Sequence, residues 1–564
     1  MHFAELKRVR EELTGPGGQF EVVEAEILGN RIKTFKAAPP SVREFWLSTA
    51  AWGDRPYLIY ADEVLTYAQS HAAVNAFAAW LGSQGVKTGD RVAIAMRNYP
   101  EWLLAYWACL SIGVAAVGMN AWWTAEEMDY ALKDSQPKVL VADAERLARY
   151  RELAGHHPKL VGVRLGEYSA DVTAWTDIVA AGGAMPAATV DPDSDACIFY
   201  TSGTTGFPKG AQLTHRGCVA NLMNMLYSTT AQALATERAT GVTPPADAPI
   251  PVSLLTTPLF HVTANNCGAY LSSAAGGAIV LMYKWDAGEA LRLIEKYKIT
   301  GVSGVPVMAR EIIHHPDFAH TDTSSLTGLS GGGAQVPPDQ VGEIARKIPA
   351  AAPTTGYGMT ETCGIITSVA GPYFIARPDS AGPYMPSFDA KVVDDAGEEL
   401  PLGEVGELWV RGSPVIKGYL NRPEATAEAI TAGGWLHTGD IARIDEDGFI
   451  YIVDRKKDLV IRGGENISCT EVEAVIYRHP AIAECSVFGV KDERMGEEVG
   501  VAIYLQADHE LDETALRKHC LDLMAKHKVP RYVWFLNDPL PRNASGKFLR
   551  RELRDELSKQ VAEA

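Results

Sequence analysis

Residues 200–210 read YTSGTTGFPKG and follow directly on the apolar run 196–199. Three glycines, four aliphatic hydroxyls and one lysine share these positions. Glycine lets backbone N–H groups approach a phosphate closely, hydroxyls add neutral donors, and lysine adds a point charge. Thr201, Ser202, Gly203, Thr204, Thr205, Gly206 and Lys209 therefore have the chemistry to wrap a nucleotide triphosphate. The string differs from G-x-x-x-x-G-K-[ST] opening a helix. Lys209 follows Phe207-Pro208, and GAQLTH (210–215) precedes a helical pattern expected to begin near Arg216 and to include 219–226. The loop thus reads as a link between two strands, with no helix N-terminus aimed at its ligand. On its own, a short Gly/Ser/Thr-rich stretch is as often a plain surface turn.

Five further strings follow in order: PLFH (258–261), YGMTE (357–361), GELWVRG (406–412), WLHTGD (435–440) with DRKKD (454–458), and PRNASGK (541–547). Together with 200–210 they resemble the acyl-adenylate-forming superfamily, which includes AMP-forming acyl-CoA synthetases, peptide-synthetase adenylation domains and insect luciferases. The resemblance runs from residue 40 to residue 555.

Such chemistry has clear physical demands. A carboxylate is a poor acyl donor because its leaving group would be oxide. Attack on the α-phosphate of ATP turns it into a mixed anhydride whose leaving group is AMP. The protein must align the carboxylate with the α-phosphorus and neutralise charge on the phosphate oxygens, which calls for a divalent cation, a lysine and oriented donors.

The resemblance distributes these roles. Lys547 in NASGK would bridge carboxylate and α-phosphate during adenylation only. Glu361 would be the Mg²⁺ ligand, Thr360 would bond the α-phosphate, and Tyr357 would lie against the adenine. Gly333 and Ala334, in SGGGAQ (330–335), would border the adenine and the acyl pocket, and Thr355 and Gly356 would belong to the same nucleotide site. The family usually has proline where Gln335 stands, which leaves the pocket's shape there open. Asp440 would accept both ribose hydroxyls, Arg455 would add a ribose and phosphate contact, and His261 would gate a pantetheine tunnel lined by Gly463 and Gly464. Each has a blander reading in isolation: a solvated lysine, a glutamate in a first helical turn, a satisfied core histidine.

The elements that must carry these residues come from the apolar pattern. Strand-like runs at 91–96, 114–118, 139–142, 196–200, 254–257, 278–282 and 301–305 alternate with helical patterns. That alternation predicts an α/β fold with largely parallel sheets covered by helices. Residues 102–119 carry no formal charge over eighteen positions, the threshold for a membrane span. Gly113, Gly118 and the preceding NYP (98–100) make the segment a buried helix to about 112 and then a strand. Residues 229–251, rich in Ala, Thr and Pro, read as a surface loop. Past 385 the texture turns to short strands, in a distorted, barrel-like subdomain.

A smaller α+β unit is expected next, with strands near 483–490 and 501–505 and helices at 470–477 and 512–525. The predicted domains are therefore 1–454, with a β-rich subdomain at 385–454, and 455–564. The resemblance implies that the latter is a mobile unit carrying Lys547, hinged at Lys457.

Composition sets outer limits. The chain has 564 residues, 47% hydrophobic and 22% charged, with a net charge of −18 and no basic block. Nucleic acid and anionic membrane surfaces are poor partners for such a chain. Eight scattered cysteines with no C-x-x-C pair argue against a zinc site or a disulfide framework and suit a reducing cytosol. The charged N-terminus has no apolar signal segment and VAEA is not a peroxisomal tail, so the expectation is a cytoplasmic enzyme.

The resemblance implies ATP, Mg²⁺ and CoA as co-reactants and a small carboxylic acid as substrate, with a homodimer as the family expectation. An acyl pocket drawn from 262–266, 302–308, 331–333 and 363–366 is largely apolar and offers no fixed cation for a second carboxylate. A medium- or long-chain fatty acid is the first expectation and an aryl or alicyclic acid the second. Luciferase-type oxidation and transfer to a carrier protein are the alternatives from other classes.

Overall fold

The computed structural model describes residues 2–562 apart from 202–207, 244–248, 333–335, 337, 457, 463–464, 508 and 544–546. The chain forms two compact units. The larger comprises Met1–Val336, Gln340–Asp389 and Val410–Leu436, and the smaller Pro337–Asp339, Ala390–Trp409 and His437–Ala564. The division runs inside strands Phe388–Val393 and Gly406–Gly412. The β-rich stretch 385–454 is thus shared between the units, a different partition from a single break at 454/455.

Two eight-stranded sheets make up the larger unit. The first runs Gly418–Tyr419, Lys209–Thr214, Asp195–Thr201, Ala115–Gly118, Arg91–Ala95, Val139–Asp143, Lys159–Val163, Val172–Ala174. It is parallel except that Lys209–Thr214 lies antiparallel to both its neighbours. The second carries Ala352–Met359 between parallel Gly328–Gly332 and antiparallel Gly364–Ala370. Central strands such as Val139–Asp143 are buried throughout, as expected of parallel strands covered on both faces.

Residues 102–119 resolve as expected into helix Pro100–Ser111, then strand Ala115–Gly118. Proline at the first turn opens that helix and Gly113, at φ +69°, lets the chain reverse after it. Its length is about 18 Å, well short of a bilayer. No helix among the described residues is long and apolar enough to cross a membrane. The same helix packs against strands of both sheets, and Trp102, Tyr106 and Trp107 on it are fully buried.

One expectation fails here. Helix His215–Thr240 extends through the first half of the segment 229–251 that had read as a surface loop. Its threonines are poor helix formers by propensity, but their hydroxyls bond back into the helix: Thr229 to the Met225 carbonyl (3.1 Å), Thr236 to Gln232 (2.7 Å) and Thr240 to Thr236 (2.8 Å). The N-terminal helix His2–Thr14 packs along it, burying Leu6, Val9 and Leu13, and Gly241 closes it in the left-handed region.

Strands Phe449–Arg455, Leu436–Ile444, Gly406–Gly412 and Phe388–Val393, most of whose residues fall in the smaller unit, lie side by side in that order. A second sheet pairs Ile482–Asp492 with Gly496–Leu505, flanked by Val460–Arg462 and Tyr532–Leu536. Helices Cys469–Ile476 and Glu513–Leu523 bury Val472, Ile476, Leu516 and Cys520 against it.

Candidate active site

The glycine-rich string lies between two antiparallel strands, Asp195–Thr201 and Lys209–Thr214. Ser202, Gly203, Thr204, Thr205 and Gly206 lie outside the described residues. The strands set Thr201 opposite Lys209, and the Thr201 hydroxyl donates to the Lys209 carbonyl at 3.4 Å. The Lys209 ammonium lies 5.1 Å from the centroid of the Tyr419 ring, a cation–π distance. Tyr419 in turn donates its hydroxyl to Glu361 Oε1 at 2.8 Å.

Glu361 reaches this point because strand Ala352–Met359 breaks into a single 3-10 turn, Thr360–Thr362. The break is built in. A side chain at Gly358 would fall 1.9 Å from the Gly364 carbonyl oxygen, so only glycine permits that approach. The Thr362 hydroxyl bonds the carbonyls of Met359 (3.0 Å) and Gly364 (2.9 Å), and Cys363 takes φ +54°. Glu361 ends 7% exposed, where an ionised carboxylate requires partners. Burial, and after it the Glu361 charge, push the Tyr419 phenol well above its ordinary range, so it stays a donor at working pH.

On the same strand Thr355 donates to the Gly331 carbonyl at 3.0 Å, tying it to Gly328–Gly332. Gly356 sits opposite Ser368, and the Tyr357 amide donates to the Thr367 hydroxyl at 3.2 Å. Gly333 and Ala334 lie outside the described residues.

His261 closes a turn after strand Val252–Leu255, its amide bonded to the Pro258 carbonyl at 3.1 Å and its ring 4.7 Å from that of Phe260. The chain then makes a π-helical turn, Thr263–Ala269, a feature often found at functional sites. The Asn221 side chain holds that turn in place, donating to the Asn266 carbonyl at 3.1 Å and accepting from the Ile365 amide at 2.9 Å.

The other site residues belong to the smaller unit. Asp440 and Arg455 are cross-strand neighbours, with Arg455 Nε 3.2 Å from Asp440 Oδ1. Asp440 is buried and its amide donates to the Thr438 hydroxyl, which bonds the Leu408 carbonyl. Beside them Thr438, Gly439, Arg455 and Lys456 line a depression of about 280 Å³. Lys456 is tied to Asp395 (3.1 Å) and Glu407 (3.3 Å).

Lys547 is exposed. The Asn543 amide donates to the Lys547 carbonyl (2.8 Å) and the Lys547 amide to Asn543 Oδ1 (2.9 Å). Three residues on, Arg550 opens helix Arg550–Ala562 and pairs with Asp458 (3.3 Å) and Glu473 (2.8 Å). Lys457, Gly463 and Gly464 lie outside the described residues.

The expected site residues thus fall into two groups. Thr201, Lys209, His261, Thr355, Gly356, Tyr357, Thr360 and Glu361 are in the larger unit; Asp440, Arg455 and Lys547 are in the smaller. Sequence reasoning missed Tyr419, whose aromatic ring in KGY (417–419), soon after GELWVRG, was the available signal.

Comparison with known proteins bears on what this geometry serves. Residues 45–420 match the AMP-binding enzyme family and residues 471–547 the AMP-binding enzyme C-terminal domain. A feruloyl-CoA synthase of Amycolatopsis sp is 37% identical over 88% of this chain and 94% of its own length. A long-chain-fatty-acid–CoA ligase of Escherichia coli O6:H1 is 33% identical over 92% of this chain and 94% of its own. ATP-bound MatB from Rhodopseudomonas palustris superposes with a TM-score of 0.79 at 30% identity, covering 91% of this chain and 99% of that one. With matches of this extent, and with a buried carboxylate linked through one tyrosine to Lys209, the chain belongs to the AMP-binding enzymes and is an AMP-forming acyl-CoA ligase.

Proposed function

We propose that the acid this ligase activates is a planar aromatic one of the cinnamate type, and that the reaction runs in two half-reactions sharing one nucleotide site. The observation carrying the substrate reading is the wall after His261. Thr263 and Cys267 keep partial exposure, while Ala264, Asn265 and Asn266 between them are buried. Opposite Thr263 stands Gly332: a Cβ there would sit 4.0 Å from the Thr263 methyl. Glycine opposite a methyl adds no bulk to this wall, and we read the space beside it as suited to a flat substituted ring rather than a long alkyl chain. Beyond it, a Cβ at Gly304 would fall 2.5 Å from Thr256 Oγ1 and 2.9 Å from Met308 Sδ, so that end is filled. The similarity to feruloyl-CoA synthase supports this choice. A medium- or long-chain fatty acid is the second reading, supported by the similarity to the long-chain ligase.

In the first half-reaction a carboxylate oxygen bonds to the α-phosphorus as the bond to pyrophosphate breaks. Lys547 neutralises charge between the two reactants, and Thr360 donates to the α-phosphate. Lys209 serves the pyrophosphate oxygens, while Asp440 accepts from the ribose hydroxyls with Arg455 beside it. Glu361 suits a Mg²⁺ ion, since one carboxylate plus waters and phosphate oxygens is the usual protein contribution to that metal. No cluster of three His, Cys, Asp or Glu side chains gathers to hold a metal among the described residues, which fits a cation shared with the nucleotide. The ion would supply charge neutralisation on the phosphates.

In the second half-reaction the CoA thiol sulfur attacks the acyl carbonyl and AMP leaves, with His261 and the glycines at 463–464 along the thiol's path. We assign the exchange between half-reactions to rotation about Lys457.

The test is an AMP-release assay with ATP and CoA across hydroxylated and methoxylated cinnamates, benzoates and straight-chain acids from octanoate to palmitate. The expected result is AMP as the nucleotide product, with the highest kcat/KM on a cinnamate. A maximum on palmitate would overturn the substrate reading; release of ADP would overturn the mechanism.

A further inference from the structure

We infer that Tyr419 is a positioning residue for the nucleotide site: its hydroxyl holds the Glu361 carboxylate in the orientation that receives a divalent cation, and its ring seats the Lys209 ammonium. This rests on the reading of Glu361 as the metal ligand.

Tyr419 sits in the two-residue edge strand Gly418–Tyr419, paired with Lys209–Thr214 so that Tyr419 faces Ala211. The Leu420 amide donates to the Gly210 carbonyl at 2.8 Å, and the Tyr419 amide to the Thr426 hydroxyl at 2.9 Å. The same stretch holds the backbone of Glu361, whose carbonyl accepts from the Ile416 amide at 3.0 Å. Segment 416–420 thereby fixes the carboxylate's main chain and one of its oxygens, while bracing the strand that bears Lys209.

Two consequences follow. With Oε1 taken by the phenol, Oε2 is the oxygen left to face a cation, which converts a rotatable carboxylate into a directed ligand. Removing such a supporting hydrogen bond commonly lowers metal affinity by roughly 10-fold or more. The Lys209 ammonium, held over the ring, keeps its charge beside the phosphate loop without pairing with Glu361 and cancelling it.

The test measures binding rather than turnover. MgCl₂ is titrated by calorimetry into enzyme with a non-hydrolysable α,β-methylene ATP, without acid or CoA, and analogue binding is also measured in EDTA. Tyr419→Phe should raise the Mg²⁺ concentration for half-saturation roughly 10-fold, with analogue binding in EDTA unchanged within about twofold. Glu361→Gln should abolish the Mg²⁺ dependence, and adding Tyr419→Phe to it should change nothing further. Wild-type Mg²⁺ dependence in Tyr419→Phe would overturn the inference. So would an equal loss of metal-free binding, the mark of a merely structural role, or effects that add in the double variant. Unaltered Mg²⁺ dependence in Glu361→Gln would instead remove the metal reading of Glu361 itself.

Discussion

Glu361 and Lys547 are both charged groups assigned to the phosphates of one nucleotide, yet the chain builds them in opposite ways. Glu361 is 7% exposed, its backbone is held by Ile416 and its carboxylate by Tyr419. Lys547 is exposed, its amide bonded to the Asn543 side chain, in the other compact unit. Preorganisation is worth its desolvation cost where a charge must be met throughout a reaction. A cation wanted in one half-reaction alone gains nothing from being locked in place. On the proposed mechanism the metal carboxylate serves the nucleotide from the start, while the lysine must arrive and leave.

The comparison breaks most visibly at Lys547. Lys547→Ala should lower acid-dependent pyrophosphate release by roughly 100- to 1,000-fold, the loss expected when a transition-state donor is removed. Thioester formation from supplied acyl-adenylate and CoA should stay near wild type. A similar loss in both half-reactions would mean that this lysine serves the site throughout, as Glu361 does, and the contrast would dissolve.

Lys457→Pro examines the same contrast from the hinge. Fixing φ there restricts the backbone change by which one unit could turn relative to the other. Thioester formation should fall by roughly 10-fold more than adenylation, measured as single-turnover rates of each. Equal effects would place the hinge elsewhere.

Asp440 sharpens the comparison in a different way, because it is a buried group in the smaller unit. Its carboxylate faces Arg455 at 3.2 Å across paired strands, a prepared site like that of Glu361. Asp440→Asn keeps the shape and removes the charge, so the KM for ATP should rise about 10-fold, equivalent to one charge-assisted hydrogen bond. An unchanged KM for ATP alongside a raised KM for CoA would move this pair from the ribose to the thiol substrate.

What could be read in the sequence follows the same division between local and distant causes. The strand that leads into the glycine-rich string was legible because its apolar run is continuous, and the structure has the expected strand at Asp195–Thr201. The pairing of Asp440 with Arg455 could not be read from the chain, since it depends on the register between Leu436–Ile444 and Phe449–Arg455. Tyr419 escaped for a like reason: its importance lies in a contact with a residue 58 positions away. Helix His215–Thr240 was cut short in the sequence reading because threonine propensity hides the back-bonding that makes Thr229, Thr236 and Thr240 acceptable inside it.

The smallest effect separates the units by pH. Burial lowers the pKa of His71 to about 4 and that of His215 to about 3, and both lie in the larger unit. A folded-state pKa below the ordinary 6.5 means that the unfolded chain binds more protons in this window. The stability held by each neutral imidazole is therefore complete above about 6.5 and is lost as pH falls toward the folded value. In the smaller unit, the half-buried Glu473 works with the opposite sign. Burial raises its pKa, with the Arg550 charge offsetting part of the shift, so its share of stability is present at low pH and fades as pH rises. Acid should thus weaken the larger unit first. His71 stacks on Trp46 at 4.3 Å and hydrogen-bonds Thr49, so His71→Gln will cost some stability at every pH. The informative quantity is the slope. Between about pH 7 and pH 5 the variant should lose roughly 1–2 kcal/mol less than wild type in denaturant unfolding. Parallel slopes for the two proteins would show that His71 takes up its proton as readily in the folded state as in the unfolded chain.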